Sequence, residues 1–170
     1  MNHIQEILKS SKKPKEKVEI ITKDILTDNK LVKDLFECFN SGTDAEKGNC
    51  ADVFKHVSAA KPTLFKPFIQ ELIDNINNKL PRITWGTQEA IGNISAKFPK
   101  EIEKAVPNLL KNTANNSTVI KWCAAYALTE IAKNNSSMRK ELIPKFDEII
   151  KKENNNGVKN VYVKALKAMI

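Results

Sequence analysis

Arginine is nearly missing from this chain: of its 28 basic residues, only Arg82 and Arg139 are not lysine. Arginine grips phosphates and base edges with two parallel hydrogen bonds, so its scarcity disfavours a surface built for nucleic-acid readout. Glycine (5) and proline (7) are sparse in a chain of 170 residues. That leaves little punctuation for a fold of many strands and turns, and favours helices. Histidine occurs twice (His3, His56), and the three cysteines (Cys38, Cys50, Cys123) form no CxxC pair. Such a set supplies no metal site and no disulfide framework, and the thiols read as small buried apolar groups. No apolar run approaches the ~18 residues of a membrane helix. The opening residues, MNHIQEILKSSKKPKEK, lack a signal peptide's apolar stretch, so a cytoplasmic protein without membrane contact is expected. There is also no P-loop, nucleophile elbow or HExxH helix, so neither enzymatic activity nor a cofactor or metal is expected. His56 is read as solvated.

What is present is ordinary for a folded protein, with 41% hydrophobic and 28% charged residues. The net charge of +8 is uneven. Residues 1–80 hold 13 lysines against 12 acidic residues, whereas residues 81–170 hold 15 basic against 8 acidic ones. A basic C-terminal half could attract an acidic protein or a nucleic acid. A lysine-rich solvated surface is the plainer explanation.

The chain repeats itself about every 37 residues. Trp85–Ser95 (WGTQEAIGNIS) returns as Trp122–Ala132 (WCAAYALTEIA), with Trp on Trp, Ala90 on Ala127 and Ile94 on Ile131. An earlier copy begins at Gly48 and a later one at Asn160. Each period reads as two helices, because apolar residues recur at the i, i+3, i+4 spacing of a buried helical face. Thr43-Asp44-Ala45-Glu46 has the form of a capping box, and Ser117 that of an N-cap. Leu72, Leu109 and Phe146 keep the period in the second helices. So do Pro107 and Pro144, which predicts the same kink in both. The units are placed at 14–40, 43–78, 81–115, 117–154 and 158–170, with 1–13 a short helix or a mobile arm. The last unit lacks a second helix; it is read as a cap, the alternative being that the natural protein continues past Ile170.

The segment WCAAYALTEIAK (Trp122–Lys133), the two-helix period, and Pro81 and Ser117 ahead of first helices resemble HEAT repeats. The resemblance departs from that family in lacking an Asp/Arg pair between helices and an Ala-rich first unit. It implies a single all-α domain, a right-handed α-α superhelix of about four and a half helix pairs. First helices would lie on the convex side and second helices would line a concave groove, in a rod on the order of 40 Å long. It implies a non-enzymatic scaffold that binds a protein partner through the concave face.

On that face, Lys104, Asn108, Lys111, Lys145 and Lys152 are the expected outward residues. Glu141 and Glu148 alternate with the lysines there, which suits a mixed polar protein surface better than phosphates. Trp85 and Trp122 are candidate anchors, or else core residues. Glu89, one turn after Trp85, shares its face. Trp85, Glu89 and Trp122 also resemble part of the set used by HEAT-like alkylpurine DNA glycosylases, which makes a nucleic-acid-binding module the second expectation. Against it stand a Glu in place of Asp, Tyr126 at the next unit's equivalent position, and no Arg in register.

Overall fold

The computed structural model describes residues 1–170 as ten α-helices, two 3-10 segments and no strand. A short α1 (His3–Lys9) precedes the repeats. First helices are α2 (Pro14–Thr27), α4 (Asp44–Ala60), α6 (Pro81–Ile94), α8 (Thr118–Asn134) and α10 (Asn156–Met169). Second helices are α3 (Leu31–Ser41), α5 (Ile69–Asp74), α7 (Val106–Asn112) and α9 (Ser136–Lys152). Successive first helices pack side by side as one layer, and the second helices form the other.

Local signals start these helices where expected. The Thr43 hydroxyl accepts from the Glu46 amide, and Glu46 accepts in return from the Thr43 amide. The Ser117 hydroxyl accepts from the Ile120 amide. Pro14 and Pro81 occupy first-turn positions, where a missing N–H costs nothing. The helix at the N-terminus is packed rather than mobile: Ile4 and Leu8 are buried against α2 and α3.

Apolar residues one period apart become equivalent layers of a shared core. Leu35, Leu72, Leu109 and Phe146 are all buried, as are Phe54, Ile91 and Leu128. Burying each such side chain contributes about 1.5–3 kcal/mol relative to leaving it in water. No single helix pair could bury these faces alone, so the units stabilise one another. At the N-terminal end the filling is aromatic, with Phe36 stacked on both Phe54 and Phe68.

The expected recurrence of a proline kink is not observed. In the second and third units the second helix is divided, a 3-10 segment (Pro62–Phe68, Glu101–Ala105) leading into a short α-helix. Pro107 therefore sits in the first turn of α7, while Pro144 lies inside an unbroken α9. Capping explains the difference. Asn135 caps α9 by accepting from the Met138 amide, so two turns are established before Pro144. The segment after Pro99 has no side-chain cap and opens in 3-10 geometry.

Among the glycines, Gly86 marks the closest approach between first helices. A Cβ there would lie 2.2 Å from the Ala51 carbonyl oxygen of α4. At Gly48 the obstacle is instead the Arg82 guanidinium, at 2.9 Å, which is the end of a flexible side chain. Helix propensity alone favours alanine over glycine by about 1 kcal/mol. Forcing backbone apart typically costs 1–3 kcal/mol. Gly86→Ala is expected to lower the thermal midpoint by several degrees, at roughly 2–4 °C per kcal/mol in a chain of this size. Gly48→Ala should move it far less. Thermal unfolding followed by circular dichroism separates the two, and an unchanged midpoint for Gly86→Ala would contradict the close approach.

Candidate functional site

The widest recess of the molecule lies on the first-helix layer and was not foreseen. It is a groove of about 890 Å³ formed by three successive first helices. Helix α2 contributes Lys15, Glu19, Thr22 and Lys23, α4 contributes Asp52, Lys55 and His56, and α6 contributes Arg82 and Trp85. The i, i+3 and i, i+4 spacings of these residues put each group on one helical face. Trp85 is half-buried in its wall, and its indole N–H is shielded without an acceptor. The Thr22 hydroxyl is likewise buried and unpartnered.

Arg82 stands one turn before Trp85 in the same groove, out of register with the slots of Trp85, Glu89 and Trp122. Its guanidinium donates to the Asp52 carboxylate at 2.5 Å and to Asn49 Oδ1 at 3.0 Å. It lies over Gly48, the position equivalent to Trp85 and Trp122. The slot filled by tryptophan in two units thus holds a paired arginine in the unit before them.

Trp122 is 40% exposed and stacks on Tyr126, with ring centroids 5.9 Å apart and planes 8° from parallel. Both rings line a second recess, about 380 Å³, between α8 and α10, with Glu130, Lys133 and Lys164. The two tryptophans therefore serve different recesses of one layer. Glu89, one turn after Trp85 on α6, is half-buried, with Cys123 Sγ 3.7 Å from its Oε1. Burial, followed by the nearby Glu89 charge, pushes the Cys123 thiol up to about 12. The three cysteines are all buried and free.

The residues expected on the second helices are found in that layer. Lys104, Lys111, Lys145 and Lys152 are exposed, and Asn108 is half-buried, its carbonyl accepting from Asn77 Nδ2. Lys152 lines a third recess, about 510 Å³, with Lys121, Glu148 and Glu153. Burial alone would raise the Glu153 carboxyl. Hydrogen bonds from Lys121 (2.8 Å) and the Asn155 amide outweigh it and hold the group below its ordinary range. The structure does not bring these lysines into one recess with Trp85, Glu89 or Trp122. No three His, Cys, Asp or Glu side chains are grouped as metal ligands, and no helix is long and apolar enough to cross a membrane.

Tyr126 joins three first helices. Its hydroxyl donates to Asn93 Oδ1 at 2.5 Å, while Asn93 Nδ2 donates to the Lys55 carbonyl and the Ser58 hydroxyl of α4. Burial first, then Glu130 and Glu89, push the Tyr126 phenol from its usual 10.0 up to about 12. A phenol whose folded value is raised stabilises the fold fully below its unfolded value, and that contribution is lost as pH rises. Denaturant unfolding should therefore show stability falling between pH 10 and about 12. Tyr126→Phe should remove part of that slope, and a slope unchanged by the substitution would contradict the arrangement.

No protein-family model and no curated protein matches this chain. Solved structures do. A designed armadillo repeat protein, solved in complex with the peptide (KR)4, superposes with a TM-score of 0.78 at 16% identity, over 98% of this chain and 80% of that one. An engineered protein superposes with a TM-score of 0.75 at 17% identity, over 98% and 78%. At that identity the likeness concerns the fold. In fold, the protein is an all-α, HEAT/armadillo-like helical-repeat solenoid.

Proposed function

We propose that this protein is a non-enzymatic scaffold that holds a segment of a partner protein against its first-helix layer, with Trp85 and Trp122 as anchors. One observation carries the reading: the same slot, 37 residues apart, presents tryptophan beside a recess in two successive units. A stripe of large, rigid aromatics repeated along a solenoid matches the way extended partners are engaged, one unit after another. The designed armadillo protein of similar fold was solved with a peptide, (KR)4, which supports peptide binding as a use of this architecture. On this reading the partner meets the first helices, and the second helices, expected from the sequence to line the binding face, form a flank. Glu89, one turn after Trp85, is the acceptor for a partner's donor. Lys104, Asn108, Lys111, Lys145 and Lys152 form a flank whose charge assists encounter at long range.

The nucleic-acid alternative is disfavoured by the carboxylates of the first-helix layer. Glu19 and Asp52 line the larger groove, and Glu130 lines the smaller one. A steep fall of DNA affinity with salt, starting from tight binding at low salt, would restore it.

The test is affinity capture with quantitative mass spectrometry, run on wild type, Trp85→Ala and Trp122→Ala alongside thermal unfolding. Trp122→Ala is expected to reduce the captured partner strongly, since an anchor of this kind is worth about 2 kcal/mol or more. Its effect on the unfolding midpoint should be small, because the ring is 40% exposed. Capture unchanged in both variants, with lowered stability, would return the tryptophans to the core and sink the scaffold reading as stated.

A further inference from the structure

The larger groove holds more than an aromatic wall; its free chemistry has one sign. Its acidic groups are engaged or countered within the groove: Asp52 receives Arg82 at 2.5 Å, and Glu19 faces Lys15 at 4.0 Å. Asp24, on the same helix, is paired with His3. What remains is Lys23, Lys55 and the imidazole of His56, none of which makes an ion pair or a side-chain hydrogen bond. The two unpartnered polar atoms in the walls are a Thr22 hydroxyl and a Trp85 indole N–H. The indole can only donate, and the hydroxyl can also donate. Cations and donors on one groove call for an acceptor that carries negative charge. We infer that the groove between α2, α4 and α6 seats an acidic segment of the partner protein, one whose carboxylates are spaced along the chain and reach Lys23 and Lys55 while an apolar side chain packs on Trp85.

This inference rests on the scaffold reading and names the chemistry of its partner. A peptide fits better than a nucleic acid for a local reason. Phosphates follow one another without a gap, so a strand laid along the groove would pass Glu19 and Asp52 as well as the lysines. Carboxylates on a peptide can skip those positions. The one arginine present, which could grip a phosphate with two bonds, is already committed to Asp52 and Asn49. The expected charge is also opposite to that of (KR)4, the peptide held by the designed armadillo protein.

Fluorescence anisotropy on the full chain tests the inference with three labelled probes: a peptide alternating glutamate and serine around one central leucine, the same with lysine for glutamate, and single-stranded oligothymidylate. The glutamate peptide should bind, with the lysine peptide at least about tenfold weaker. Lys23→Glu with Lys55→Glu should weaken the glutamate peptide by roughly tenfold or more. Lys140→Glu with Lys151→Glu makes the same change in net charge at exposed positions of α9, on the second-helix layer, and should leave affinity within about twofold. If the glutamate-substituted groove variant loses its helical circular dichroism, Lys23→Gln with Lys55→Gln replaces it, with a smaller loss expected in the same direction. Failure of the glutamate peptide to bind overturns the inference, as does equal weakening by both charge reversals. Tighter binding of oligothymidylate, lost in the groove variant, overturns it in favour of a phosphate site. The scaffold reading falls separately, only if the tryptophan variants leave partner capture intact.

Discussion

The close passage of α4 and α6 sets the geometry on which everything else in this solenoid depends. At Gly86 the backbones approach so nearly that a single Cβ has no room beside the Ala51 carbonyl. Positions one period away carry Asn49 and Cys123, both buried, so the exclusion belongs to this interface and not to the repeat as a rule. The approach brings Arg82 across Gly48 and within reach of Asp52. It also puts Trp85 beside the lysines of α2 and α4. Gly86 thus permits the helix spacing at which the Arg82–Asp52 pair and the groove form.

Polar contacts then hold successive units in register. Lys61 donates to the Leu26 carbonyl, Asn93 to that of Lys55, Asn112 to that of Ile76 and Asn135 to that of Pro99. Each bond spans about one period, and the Leu26 and Ile76 carbonyls lie at or just past the end of a helix, where no intrahelical donor reaches them. Asn112 also donates to Gln88, a fully buried amide that in turn donates to the Ile120 carbonyl. Where the apolar layers supply burial without direction, these bonds fix how each pair sits on the last.

Much of this was legible in the sequence because periodicity is a direct record of burial. The residues that recur at 37 are those found inside, Leu35, Leu72, Leu109 and Phe146 among them. Caps at Thr43 and Ser117 were legible because their chemistry is local. The groove was not. It depends on side chains from α2, α4 and α6, brought together by a close approach that only the assembled layer reveals. Arg82 was invisible as a groove residue for a similar reason, since its partners Asn49 and Asp52 lie one unit away. The lysines of the second helices were placed correctly as exposed, but exposure alone does not make a site. The recurrence of Pro107 and Pro144 misled because a proline's effect depends on where its helix begins, and the two helices begin differently.

In the proposed function, partners meet the first-helix layer. Site-specific photocrosslinking in the native host reads this directly, with a photoreactive residue at Lys23 in the groove or at Lys104 on the second-helix layer. A discrete partner band should form from position 23 and disappear when Lys55→Glu is added. A band formed from position 104 and none from position 23 would contradict it.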